Sequence, residues 1–144
     1  MHRVLIPVDG SETALRAATR FAALASQLQK TEVLLLNVQS PIAMNDRIIN
    51  GRPSELQHLE APLREAAGKL FASTRKVLDE AGIAHTEHVE FGDPAAAIAD
   101  FSQKHHCDQI VMGTHGLGAI GQLVMGSVAT KVLHLAAMPV MLVR

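Results

Sequence analysis

Short apolar runs rich in β-branched residues alternate along this chain with longer segments whose apolar residues recur every three or four positions. The first pattern is that of buried strands and the second that of helices with one face inward. Arg3–Val8 reads as a buried strand. Asp9-Gly10-Ser11 then supplies turn and N-cap chemistry for a helix from Glu12 to Gln29, with Leu15, Ala18, Ala22, Ala25 and Leu28 along its apolar stripe. Glu32–Val38 reads as a second strand. Gln39 to Leu56 carries Pro41, Asn45, Asn50, Gly51 and Pro53 without a period, which predicts a long loop, a common place for a functional lid. A helix over Gln57–Ala81 follows, with Leu59, Leu63, Ala66, Leu70, Thr74, Val77 and Ala81 inward and Gly82 as its terminator.

Ala84–Glu90 is the most polar of the strand-like segments and suits a sheet edge. Asp93-Pro94 pairs an N-cap with proline at the first helical position, starting a helix to His105 with Ala97, Ile98 and Phe101 inward. Asp108–Met112 is a fourth strand, Ser127–Leu135 a last helix and Pro139–Val143 a fifth strand. The order βαβαβαβαβ predicts one open parallel sheet with helices on both faces, an α/β fold in one domain over residues 1–144. No internal repeat or low-complexity tract interrupts it.

Composition narrows the function classes. With 48% hydrophobic and 19% charged residues the chain has the balance of a globular protein, and at 144 residues it buries roughly 70% of its unfolded surface without staples. A net charge of −1 offers no global attraction to nucleic acid or anionic lipid. Trp and Tyr are absent and there are four Phe, so aromatic platforms for single-stranded nucleic acid are lacking. Cys107 is the only cysteine and has no internal partner. The Val4–Asp9 run is short for a signal-peptide core and no run reaches the length of a membrane span, so the expectation is a cytoplasmic protein without membrane insertion.

Chemistry concentrates in one stretch. Five of the ten glycines fall between Gly113 and Gly126, in Gly113-Thr-His-Gly116-Leu-Gly118-Ala-Ile-Gly121-Gln-Leu-Val-Met-Gly126-Ser127. It leaves a predicted strand and enters a predicted helix. Residues without side chains let backbone amides face a ligand closely, and a helix start adds free donors and a positive dipole end. Such a site suits phosphate. No Asp or Glu follows Asp108, so no acid in this part of the chain opposes an anion. A P-loop needs Gly-Lys-Ser/Thr, but Gly126 is followed directly by Ser127. Gly116-Leu-Gly118-Ala-Ile-Gly121 matches G-x-G-x-x-G, yet it sits late in the chain and no downstream acid is present to hold a ribose.

Gly113-x-x-Gly116, nine residues, then Gly126-Ser127 resembles the ATP-binding signature of the universal stress protein family. Val4-Leu-Ile-Pro-Val-Asp-Gly-Ser-Glu-Thr13, Val111-Met-Gly-Thr-His-Gly116, Gly126-Ser-Val-Ala-Thr-Lys-Val132 and Met138-Pro-Val-Met-Leu-Val-Arg144 resemble other segments of that family, in register over the whole chain. The resemblance implies a Rossmann-like, adenine nucleotide alpha hydrolase-like sheet of order 3-2-1-4-5, which would bring Asp9 and Gly113 to one crevice. It implies that Pro7, Asp9 and the backbone at Val38 frame adenine and ribose, with Ser11 and Met112 in the same site. Gly113, Thr114, His115, Gly116, Leu117 and Gly118 would line ribose and phosphates, and Gly126, Ser127, Val128 and Ala129 would donate to phosphate. Leu117–Met125 carries no Lys or Arg and Ala129 stands where the family often has a hydroxyl, so charge would fall to backbone dipoles and to Mg2+ on the nucleotide. The implied function is an ATP-binding, nucleotide-dependent regulator that dimerises through Val140, Met141, Leu142 and Val143. AMP or a cyclic nucleotide is an alternative ligand; slow ATP hydrolysis or phosphotransfer is an alternative activity. For catalysis Asp9 and His115 are the obvious groups, neither with a recognisable partner. A flavin or dinucleotide protein is disfavoured by the missing acid and aromatics.

Other polar residues have structural readings. Asp9 and Ser11 both suit helix capping. His105-His106-Cys107 on a helix would point in different directions and make no chelate, and His85 and His88 would lie on opposite strand faces. His115, inside the loop, is either a phosphate contact or solvated. The methionines read as core filling.

Overall fold

A computed structural model describes residues 1–25, 27, 28, 30–39, 53–116 and 125–144. Of the loop expected over Gln39–Leu56, Gln39 ends a strand and residues 53–56 open a helix; its residues 40–52, and the middle of the glycine stretch with Leu117 and Gly118, lie outside the described residues. The elements run β1 (His2–Pro7), α1 (Glu12–Ala25), β2 (Thr31–Gln39), α2 (Pro53–Leu70), α3 (Ala72–Glu80), β3 (Ala84–Phe91), α4 (Pro94–Lys104), β4 (Gln109–Gly113), α5 (Ser127–Leu135) and β5 (Val140–Val143). The strands form one parallel sheet in the order β3-β2-β1-β4-β5, as the resemblance implied, with polar β3 at one edge and β5 at the other.

Alternation along the strands builds two cores. Val4, Ile6, Val33, Leu35 and Val111 face α1 and α3 with Phe21, Phe71 and Leu78. Leu5, Leu34, Leu36, Ile110 and Met112 face α4 and α5 with Ile98, Phe101 and Val132. Central strands buried on both sides read as unbroken apolar runs because both alternating sets find a helix layer.

Three helix readings need correction. The first helix ends at Ala25 rather than Gln29; the amides of Gln27 and Leu28 bond back to Leu24 and Ala25 in turns. Leu28 is 48% exposed, and the inward face is Ala14, Ala17, Ala18, Phe21, Ala22 and Ala25. An alanine-rich helix offers almost any face to the sheet, and Phe21 selects the one that buries most. The second predicted helix is two, beginning at Pro53, where proline's missing N–H costs nothing in the first turn. They meet at Phe71, and the buried positions are Ala67, Phe71, Thr74 and Leu78; of the expected stripe Thr74 is buried, Leu63, Leu70 and Val77 are half-buried, and Ala66 and Ala81 are exposed. In α4, Ile98 and Phe101 are buried as expected, but Ala95 and Ala99 complete the face rather than Ala97. Met112 is buried, while Met1 and Met125 are exposed and fill no core.

Candidate functional site

The crevice lies beyond the C-terminal ends of β1 and β4. These neighbours lead to opposite sides of the sheet: the chain from β1 goes to β2, and that from β4 goes to β5. Such a switch point leaves a gap between diverging connections.

The first wall is built by the turn after β1. Val8 N–H donates to Leu36 O at 2.8 Å, and the buried Asn37 Nδ2 donates to Val8 O at 2.7 Å, so both backbone groups of Val8 are held. The chain then leaves the sheet at Asp9. Ser11 N–H donates to Asp9 Oδ1 at 2.9 Å, while Ser11 Oγ accepts from Ala14 N at 3.2 Å. Ser11 is therefore the cap of α1, and Asp9 closes the turn that precedes it. Gly10 takes φ +82°, and a side chain there would strike Leu70 Cδ2 at 2.9 Å. The other Asp9 oxygen, Oδ2, lies only 2.8 Å from where a Gly116 Cβ would stand. Asp9 and the glycine stretch thus meet, as the strand order requires.

The second wall follows β4. Thr114 N–H donates to Val143 O at 2.9 Å, extending the ladder one residue past the strand. Gly126 N–H returns to Thr114 O at 2.7 Å, closing the base of the glycine stretch. A Gly126 Cβ would sit 3.1 Å from Thr114 O, so the close return favours glycine. Gly113 is a different case: its Cβ would fall 2.7–2.8 Å from the Cβ, backbone carbon and Oγ1 of Thr13. Its missing side chain serves packing of α1 on β4, while its backbone still borders the crevice.

α5 starts at Ser127 without a side-chain cap; Thr130 N–H makes the first helical bond, to Gly126 O at 3.0 Å. The amides of Ser127, Val128 and Ala129 have no acceptor among the described residues. Gly116 N–H has none either. His115 Nδ1 pairs with Thr114 Oγ1 at 2.8 Å, and His115 Nε2 is buried without a hydrogen-bond partner.

Together these walls enclose a cavity of about 680 Å³. Pro7, Leu36, Val38, Pro94, Ile98 and Met112 form an apolar side. Asp9, Ser11, Thr114, His115, Gly116 and the Gly126–Ala129 turn form the polar side. All the expected site residues within the described region line it: Pro7, Asp9, Ser11, Val38, Met112, Gly113, Thr114, His115, Gly116, Gly126, Ser127, Val128 and Ala129. Sequence reasoning missed Val8, Ala14, Leu36, Pro94 and Ile98. Pro94 had a usable signal, since a helix start after a parallel strand belongs at this end of the sheet. Among the described lining residues Asp9 is the carboxylate, and no Lys or Arg is present.

The remaining histidines and cysteine lie elsewhere. α4 ends at Lys104, so His105-His106-Cys107 is not helical as expected; His106 takes φ +51°. His105 stacks on Phe101 with ring centres 3.9 Å apart, and Cys107 is buried, its thiol pushed up to about 11 by desolvation. His85 turns toward Asp79 and His88 toward Phe101, opposite faces as the alternation required. The described residues hold no group of three or more His, Cys, Asp or Glu that could bind a metal. No described helix is long and apolar enough to cross a membrane.

The sequence pattern described as the universal stress protein family matches residues 1–144. The chain belongs to that family. A universal stress protein of Thermus aquaticus is 34% identical over 142 residues, covering 98% of this chain and 97% of the relative. Universal stress protein MJ0531 of Methanocaldococcus jannaschii is 32% identical over 146 residues, covering 99% and 81%. Among solved structures, that of MJ0577 has a TM-score of 0.85 at 27% identity, covering 99% of this chain and 94% of that one. More distant universal stress protein structures share the fold. One was solved in complex with cAMP (TM-score 0.69, 21% identity, covering 99% and 96%), and one from Archaeoglobus fulgidus in complex with dAMP (0.68, 20%, 100% and 98%). One from Arabidopsis thaliana was solved with AMP bound (0.70, 20%, 99% and 91%).

Proposed function

We propose that the crevice binds an adenine nucleotide, ATP carried with Mg2+, and that binding regulates a dimer formed through the β5 edge at Val140, Met141, Leu142 and Val143. The observation that carries this reading is the set of amides at Gly116, Ser127, Val128 and Ala129 that have no acceptor among the described residues, bordering a cavity with a largely apolar lining. The first amides of a helix have no partner within it, and a phosphate oxygen is the acceptor a helix start favours. The apolar side suits a flat base, and Asp9 Oδ2, free of the turn bond made by Oδ1, suits a ribose hydroxyl. Mg2+ would ride on the phosphates.

The absence of Lys and Arg from the described lining favours a second ligand class at the same site, AMP or a cyclic nucleotide, whose smaller charge backbone dipoles can balance alone. The relatives solved with cAMP, dAMP and AMP belong to this class. Isothermal titration with AMP, cAMP and ATP, with and without magnesium, separates the two. Heat from ATP exclusively with magnesium supports the first; tighter binding of AMP or cAMP supports the second. No heat from any of them rejects the nucleotide reading. A shift of sedimentation coefficient on saturation tests coupling to the dimer.

A further inference from the structure

We propose that Thr13 is a positioning residue, a latch on α1 that holds the His115–Gly116 peptide with its N–H turned to the crevice. The proposal rests on the nucleotide reading of that crevice. Thr13 does not line the cavity. Its hydroxyl donates to His115 O, 102 residues away in the chain. Ser11 Oγ lies 3.1 Å from Thr13 Oγ1 and also accepts from Ala14 N. A hydroxyl has one hydrogen, and that of Thr13 goes to His115 O, so Ser11 is the donor to Thr13. The bonds therefore run in one direction, from Ala14 N–H to Ser11, from Ser11 to Thr13, and from Thr13 to the His115 carbonyl. Each polarises the next, so the cap of α1 strengthens the grip on the loop.

The consequence lies in the geometry of a trans peptide, whose C=O and N–H point in opposite directions. Drawing the His115 carbonyl toward α1 sends the Gly116 N–H away from α1, and Gly116 borders the cavity with that amide unpartnered among the described residues. A flipped peptide would present the carbonyl instead, repelling phosphate. Backbone freedom at Gly116 makes such a flip cheap, so something must prevent it. Contact of Thr13 with Gly113 keeps the hydroxyl in range: the threonine occupies the space that a Gly113 side chain would need.

Thr13→Val keeps the branched shape on Gly113 and removes the donor, whereas Thr13→Ser restores it. In the ligand-free protein, the Gly116 amide resonance should move in Thr13→Val and return toward wild type in Thr13→Ser. By titration, Thr13→Val should weaken AMP about tenfold, one hydrogen bond to a charged group, while adenosine changes by less than roughly twofold. Thr13→Ser should recover AMP affinity. An unmoved Gly116 resonance in Thr13→Val, a parallel loss of AMP and adenosine, or a serine variant no better than valine would overturn the latch. If wild type binds neither AMP nor ATP, the nucleotide reading fails, and the Gly116 resonance still decides the latch. Should Thr13→Val not fold, Thr13→Ala and Thr13→Ser give the same comparison.

Discussion

The two ends of the sheet make opposite use of polar groups. Where the strands begin, charged groups answer one another. Arg3 Nε meets Glu32 Oε2 at 2.9 Å, its guanidinium donates to His105 O at 2.8 Å, and its own N–H donates to Asp108 Oδ2 at 2.7 Å. Asp108 N–H returns the bond to Arg3 O at 2.8 Å. Where the strands end, the amides of Gly116, Ser127, Val128 and Ala129 have no such answer among the described residues. The end rich in full charges is therefore structural, and the end with partial charges is the one the nucleotide reading assigns to a ligand. What marks the candidate site is unmet backbone hydrogen-bonding capacity among the described residues.

Substitutions at each end can break or sharpen this contrast. The largest effect is expected from Gly113→Ala, because the new methyl would stand 2.7–2.8 Å from Thr13 side-chain and backbone atoms. Urea unfolding should show a loss of about 1–3 kcal/mol from overpacking. Wild-type stability would mean that α1 and β4 are not in the contact described. Next is Gly116→Ala, whose methyl would approach Asp9 Oδ2 to 2.8 Å. It should weaken AMP about tenfold, a cost of ~1.4 kcal/mol in binding, with a much smaller change in the unfolding midpoint. Arg3→Met should do the reverse. Losing a half-exposed ion pair and a carbonyl bond costs about 1 kcal/mol of stability, and AMP affinity stays at the wild-type value.

The smallest effect is a pH dependence at the structural end. Burial, with the neighbouring His105, holds the His88 imidazole below its ordinary value. The unfolded chain then binds a proton before the folded one does, so stability falls as pH drops through about 6.5 toward the lower folded value. A His88→Gln variant should have a flatter profile between pH 7 and 5. An unchanged profile would exclude His88 as its source.

How much of this was legible from residues alone follows from the range of each interaction. The strands were readable because alternation is local and both alternating sets are apolar. Edge status of β3 was readable from its charges, since both neighbours of an inner strand demand apolar faces. The helix stripes were read only in part at α1 and α2–α3: Ala18, Ala22, Ala25 and Thr74 are buried as expected, but several faces are nearly equivalent there and docking chooses one. Glycines pointed to the candidate site because their spacing is a local property, but not that Gly113 serves packing, which depends on Thr13. Nor could Thr13 and Asn37 be given roles: their hydrogen bonds reach across 102 and 29 residues, and only the assembled sheet brings the partners together.

The most direct trial is a crystal structure of this protein grown with AMP and, separately, with ATP and magnesium. The account predicts the base against Val38 and Ile98, with phosphate oxygens within hydrogen-bonding distance of the Gly116 and Ser127–Ala129 amides. Nucleotide bound elsewhere, or those amides closed on protein acceptors while the crevice stays empty at saturating ligand, would contradict it.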